Sequence, residues 1–121
     1  MDNDFTSKVI EYIRSSLVRS RYVFICDLAN VFGFGGGLLL ANDGEIKTCL
    51  SSELADSLNV LISSGEYCYG IDTSKYIKLR YGSKEYLNFS INDMLDDTTF
   101  DVKDSPAFLS LFIMYKSSGA D

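Results

Sequence analysis

The sequence predicts an α+β fold in which helices pack against an antiparallel sheet. Three observations support this class: a helical repeat of apolar residues near the N-terminus, a hairpin signal at Asn42-Asp43-Gly44, and an alternating pattern that begins after Glu66. The elements follow in the order helix, apolar element, hairpin, helix, three-stranded meander and terminal apolar element, which favours α+β over a parallel sheet. We expect one compact domain over residues 1–121, with two or three helices forming one layer on the sheet.

The first half of the chain contains two predicted helices with an apolar stretch and a hairpin between them. Apolar residues three and four positions apart predict a helix from Asp4 to about Ser20, and they are Phe5, Val9, Ile10, Ile13 and Leu17. The stretch from Tyr22 to Phe32 is either a buried strand as far as Cys26 or a helix that runs on, since periodicity does not separate the two. Strands at 38–41 and 45–50 flank the Asp-Gly turn. A helix from Glu53 to about Ser63 follows, capped by Ser51 or Ser52.

The second half of the chain is predicted to form the meander. Tyr67, Tyr69 and Ile71 alternate with smaller residues and predict a strand. A second hairpin follows if the loop is 82–84, because Ile77, Leu79 and Tyr81 then face Leu87, Phe89 and Ile91. The acidic stretch at about 92–105 is expected to be an exposed surface connection. After Pro106, a buried terminal helix or strand is expected.

The composition removes much catalytic chemistry. The 121 residues include no histidine, which excludes Ser-His and Cys-His nucleophile pairs and most zinc sites. Cys26, Cys49 and Cys68 are too far apart in sequence for a C-x-x-C motif, and each lies among apolar residues. We therefore expect free, structural thiols, no cofactor, no metal and no catalytic residues.

A glycine cluster interrupts the first half at Gly33-Phe34-Gly35-Gly36-Gly37. Its spacing resembles the start of a dinucleotide fingerprint, but the position of the third glycine is Leu38, and a strand follows where a helix is needed. The cluster instead predicts a bend or a close approach between two backbones.

Nucleic acid and membrane are not expected partners. Lys75 to Lys84 is the one basic concentration, with Tyr76, Lys78 and Arg80 on its outer face, but the net charge of −6 opposes binding to a polyanion. No apolar run is long enough to span a bilayer. The acidic start of the chain lacks the features of a secretory signal, so a cytoplasmic location is expected.

The leading hypothesis is a non-enzymatic protein-binding module. An acidic surface suits a basic partner, and exposed tyrosines are efficient interface anchors. The expected function is an immunity-type inhibitor, such as a bacterial immunity protein, that blocks a basic toxin or enzyme by direct binding. The expected partner-binding residues are Asp93, Asp96, Asp97 and Asp101, with Tyr76 and Tyr86 as exposed aromatics.

The alternative is a scaffold or adaptor subunit that homodimerises through a sheet edge or a helix. The order of elements is similar to that of roadblock- and profilin-like proteins. The similarity is one of layout, and the stretch from Tyr22 to Gly37 departs from it. It implies a non-catalytic homodimer, whereas the inhibitor hypothesis implies a monomer with an acidic face.

Overall fold

The computed structural model describes residues 3–41, 44–82 and 100–116. These residues form α1 (Asn3–Arg19), β1 (Val23–Phe24), α2 (Ile25–Phe32), β2 (Leu38–Ala41), β3 (Gly44–Lys47), α3 (Ser52–Ser63), β4 (Tyr67–Ile71), α4 (Thr73–Tyr81), α5 (Pro106–Ser110) and β5 (Leu111–Tyr115). All the named strand pairs are antiparallel and the helices pack on them, so the predicted α+β class is confirmed. The prediction of two or three helices is wrong, because the described residues contain five. Within these ranges, no helix has both the length and the apolar character needed to cross a membrane.

The larger sheet has three strands in the order β1-β5-β4. Its central strand, β5, is the last element in the described chain, and Ile113 lies between Val23 of β1 and Tyr69 of β4. The alternation predicted for β4 is confirmed, but its partner is β5 and not the segment that follows it. This sheet therefore closes through a long-range pairing.

The core lies where α1 and α3 meet this sheet. Val9 and Ile13 of α1 and Leu54 and Leu58 of α3 are fully buried in the same apolar cluster as Ile113. These positions match the three- and four-residue spacing predicted for the two helices. The helical repeat therefore does identify the buried faces.

The smaller sheet is the hairpin of β2 and β3, as the Asp-Gly signal predicted. Its register pairs Leu39 with Ile46 and Ala41 with Gly44. The turn at 42–43 lies outside the described residues. The hairpin packs against α3.

Three helices begin at side-chain caps that the sequence supplies. Ser51 Oγ accepts a hydrogen bond from the Leu54 N–H at 3.1 Å, which confirms the predicted cap of α3. Asp72 Oδ1 accepts one from the Lys75 N–H, and Ser105 Oγ accepts one from the Phe108 N–H. Each bond satisfies an N–H group that the first turn of a helix leaves without a partner.

Both ambiguous apolar stretches contain a strand and a helix. Val23–Phe24 is a short strand, and α2 begins directly after it at Ile25. The terminal segment forms α5 and then β5. Periodicity had not separated the two alternatives because each stretch changes from one to the other within a few residues.

The strand predicted from Ile77 to Tyr81 is wrong, because these residues belong to α4. Asp72 caps the helix, and Gly82 ends it in the left-handed conformation at a φ of 70°. Leu79, which was expected to face the core, is 44% exposed. The opposite strand of that hairpin, 87–91, lies outside the described residues.

Candidate partner-binding site

The predicted partner-binding residues lie mostly in the segment that follows α4. Asp93, Asp96, Asp97 and Tyr86 lie outside the described residues, as does the acidic connection from 92 to 99. Asp101 is described and is exposed, as predicted.

Tyr76 is not an exposed aromatic, and this part of the prediction is wrong. Its side chain is fully buried, with Ala107 of α5, Ile71 and Phe100 packed in the same cluster. The error follows from the secondary structure. A strand would have placed Tyr76 on the face of the sheet opposite to that of Ile77, whereas in α4 the helical rotation turns it towards α5. Tyr76 therefore contributes to the core.

Phe34, unlike Tyr76, is an exposed aromatic residue. It is 39% exposed, and the ammonium nitrogen of Lys103 lies 4.1 Å from the centre of its ring. The residues around Lys103 in the sequence, Asp101, Val102 and Asp104, are all exposed, and Val102 is 50% exposed. We call this the Phe34 surface, and it consists of Phe34, Asp101, Val102, Lys103 and Asp104.

The glycine cluster holds Phe34 in position through close contact with the start of α3. The N–H groups of Gly35 and Gly37 donate to the carbonyls of Cys49 and Leu50, at 2.8 and 2.7 Å. A Cβ atom on Gly37 would lie 2.6 Å from the Cβ of Ala55, and one on Gly35 would lie 3.0 Å from the Cα of Ser51. The predicted close approach of backbones is therefore present, and it fixes the loop to the start of α3 directly after Phe34.

The thiol of Cys49 is buried near the charges of this surface. Burial raises the pKa of the Cys49 thiol, Lys103 lowers it to a smaller extent, and Asp101 raises it. Burial likewise raises the pKa of the Cys26 thiol. An activated cysteine requires a lowered pKa, so these two residues are in the opposite environment. Neither they nor Cys68 form a disulfide.

A polar and aromatic groove lies on another part of the molecule, along the C-terminal half of α1. Its volume is about 490 Å³, and its lining includes Tyr12, Arg21, Tyr22, Phe24 and Asp27. The rings of Tyr22 and Phe24 meet edge to face at 5.2 Å, and Phe24 also carries the ammonium group of Lys75 at 3.9 Å. Sequence reasoning missed this groove, because only the antiparallel pairing of β1 with β5 fixes these aromatics at the end of α1.

The residues that could supply metal ligands are dispersed. Among residues 3–41, 44–82 and 100–116, no three acidic or cysteine side chains come together in a group that could hold a metal ion. The basic residues Lys78 and Arg80 are exposed on α4, and Lys75 is engaged with Phe24.

Comparisons of the chain with protein-family models, with curated proteins and with solved structures found no match.

Proposed function

We propose that this chain is a non-catalytic protein-binding module whose partner is a basic protein. In its more specific form, the proposal is an immunity-type inhibitor that covers a basic toxin or enzyme by direct binding. The Phe34 surface is the observation that carries it. A partly exposed aromatic ring that lies against Lys103, with the exposed carboxylates of Asp101 and Asp104 close by in the sequence, has the composition of an interface anchor with a charged rim.

The charge of the chain supports a basic partner. The net charge is −6, and Asp101 and Asp104 extend the acidic stretch that contains Asp93, Asp96 and Asp97 in the sequence. Carboxylates at the rim of an interface accelerate the approach of a cationic protein, and salt screens this effect. The ring of Phe34 would act after contact, when it loses its remaining exposure to water.

The experiment separates these two contributions. The tagged protein is used to capture its partner from the source cells, and binding kinetics are then measured with the purified partner. Replacing Asp101 and Asp104 by lysine should lower the association rate at low salt about tenfold and reduce its salt dependence. Phe34→Ala should mainly raise the dissociation rate.

The control is a pair of substitutions with the same change in net charge at exposed positions outside the Phe34 surface, Glu11→Lys and Glu66→Lys. If this control slows association as much as the Asp101 and Asp104 variant does, the effect belongs to the total charge and the proposed surface is wrong.

The second candidate function is the homodimeric scaffold. One observation favours it: the outer edge of β3 pairs with no other strand in the described part of the chain. An upstream gene for a toxin-like protein would support the inhibitor, whereas an adjacent gene for a small GTPase would support the scaffold.

A further inference from the structure

The two outer edges of the β2–β3 hairpin differ in the contacts they make. The side-chain amide of Asn59, on α3, covers the middle of the outer edge of β2. Its Oδ1 atom accepts from the Leu40 N–H at 2.8 Å, and its Nδ2 atom donates to the Leu38 carbonyl at 3.0 Å. One amide thus occupies two of the backbone groups that a neighbouring strand would bind. Within the described residues, nothing comparable covers the outer edge of β3.

The backbone groups of successive residues in a strand point alternately to its two sides, and this parity shows which groups lie on the open edge of β3. Because Leu38 and Leu40 direct their backbone groups to Asn59, Leu39 directs its own towards Ile46, its partner in the register. The Thr48 N–H donates to the Gly37 carbonyl, which follows the same parity. The N–H and C=O groups of Glu45 and Lys47 therefore point away from β2, and both residues are exposed.

We propose that β3 pairs antiparallel with β3 of a second copy of this chain, about a two-fold axis at Ile46. In this register, Glu45 of each copy lies opposite Lys47 of the other. The two residues exchange both backbone hydrogen bonds of a hydrogen-bonded pair, and their side chains bring opposite charges together on one face. The pair occurs again on the other side of the axis, as a two-fold interface requires.

The alternative registers are less favourable for a stated reason. Outward-facing groups meet only if Glu45 lies opposite Glu45, Glu45 opposite Lys47, or Lys47 opposite Lys47. The first and third place like charges directly across from each other, which is destabilising in an antiparallel pair. The charge sequence of β3 therefore selects the register centred on Ile46.

The two faces of the extended sheet also agree with this pairing. Leu39 and Ile46 share the inner face, so the two copies of Ile46 meet at the axis and continue the apolar row. On the outer face, Leu38 lies beside Lys47 and Leu40 beside Glu45, with the two leucines 42% and 51% exposed. Pairing extends both faces of the sheet across the axis and covers the open edge.

The inference rests on the second candidate function, the homodimeric scaffold, and gives it an edge and a register, whereas the inhibitor hypothesis implies a monomer. Because β3 shares no residue with the Phe34 surface, a failed dimer test would leave the capture of a basic protein untouched, and the reverse also holds.

The test is a charge swap followed by measurement of the dimer dissociation constant by analytical ultracentrifugation. The protein as it exists should show a concentration-dependent dimer. Glu45→Lys and Lys47→Glu, made singly, should each raise the dissociation constant roughly tenfold, because both symmetry-related pairs then carry like charges. The double variant restores opposite charges and should return the constant to within about threefold of the original.

Amide hydrogen exchange gives a second readout at the backbone. The N–H groups of Glu45 and Lys47 should become protected as the protein concentration rises, whereas that of Ile46, already bonded to β2, should be protected throughout. Glu66→Lys and Lys78→Glu, at other exposed positions, serve as charge-matched controls and should leave the dimer unchanged.

Three results would overturn the proposal. The protein could remain monomeric up to about 1 mM, which is too weak for a specific pair. A dimer could persist in both single variants, which would assign it to another surface. The double variant could fail to recover while circular dichroism shows it folded, which would exclude the predicted register.

Discussion

Gly36 and Gly37 are adjacent in the chain, yet only one of them touches another element. A Cβ atom on Gly37 would lie within 3 Å of both Ala55 and the backbone of Ser51, whereas one on Gly36 would meet nothing within 4 Å. The sequence pattern alone gives these glycines the same importance. The packing of the loop on α3 distinguishes them.

Gly37→Ala should therefore lower the free energy of unfolding by about 1–3 kcal/mol, because the added methyl group overpacks the contact with α3. Gly36→Ala adds the same methyl group at the adjacent position and should change the free energy of unfolding by less than about 0.5 kcal/mol. Urea denaturation of the two variants measures the difference. Equal values would mean that the loop moves aside at little cost.

Tyr69 has a buried hydroxyl whose effect on the free energy of unfolding can be predicted. Its hydroxyl is buried and has no hydrogen-bond partner within the described residues. Burial raises its pKa well above the ordinary tyrosine value. The buried hydroxyl without a partner lowers the stability of the folded state.

Tyr69→Phe should raise the free energy of unfolding by about 1 kcal/mol at neutral pH, since it removes a buried polar group that lacks a partner. Above about pH 10 the unfolded tyrosine ionises while the folded one stays neutral, so the stability of the unmodified protein falls with rising pH. The advantage of the variant should therefore widen above about pH 10. Denaturation at pH 7 and pH 10.5 tests both parts.

Tyr67→Phe provides the matched control for Tyr69→Phe. The Tyr67 hydroxyl accepts a hydrogen bond from Arg14 Nε at 3.4 Å, so its removal should not stabilise the protein. If both variants gained stability equally, the missing partner of Tyr69 would not be the cause.

At the scale of elements, the β2–β3 hairpin depends on one side chain of α3. Asn59 provides both a donor and an acceptor to the edge of β2, and a backbone strand would have to supply the same two groups. This helix thus does more than cover the inner face of the hairpin. It also fixes its position sideways.

Asn59→Ala should lower the free energy of unfolding by about 1–2 kcal/mol, because two hydrogen bonds are lost at a partly solvated site. The amide of Leu40 should exchange faster with solvent, whereas that of Leu39 should keep its protection. Val60→Ala, at the exposed neighbouring position, should have little effect on either amide. Amide exchange followed by NMR distinguishes these outcomes.

The elements that the sequence predicts correctly are those determined by local chemistry. The repeat of α1, the Asp-Gly hairpin and the Ser51 cap of α3 all depend on residues within a few positions of one another. The strand predicted at 77–81 is wrong because an alternating pattern of three apolar residues is a weaker signal than the cap at Asp72 and the stop at Gly82. Those two signals were in the sequence and would have identified α4.

At the scale of the whole molecule, the sheet order and the candidate site could not be predicted from local patterns. The pairing of β4 with β5 joins segments about forty residues apart, and no periodicity specifies which strand is the partner. The exposure of Asp101 was predicted correctly from charge. Phe34 was missed because the glycines around it indicated a bend but not the direction in which the ring would face.

The two proposed surfaces share no residue, so variants at one should not affect the other. A variant at Glu45 or Lys47 should bind a basic partner as before, and a variant at Asp101 should keep its oligomeric state. If a variant at one surface changed the property assigned to the other, the two surfaces would be coupled.

The Asn59 amide also sets the stoichiometry of assembly. If β3 edges join, each hairpin has used its open side, and the far side is already occupied by a side chain of its own α3. No further strand then has an open hairpin edge to join, so growth through this sheet stops at two chains. A single residue on a helix would thereby act as the terminator of a sheet that two molecules share.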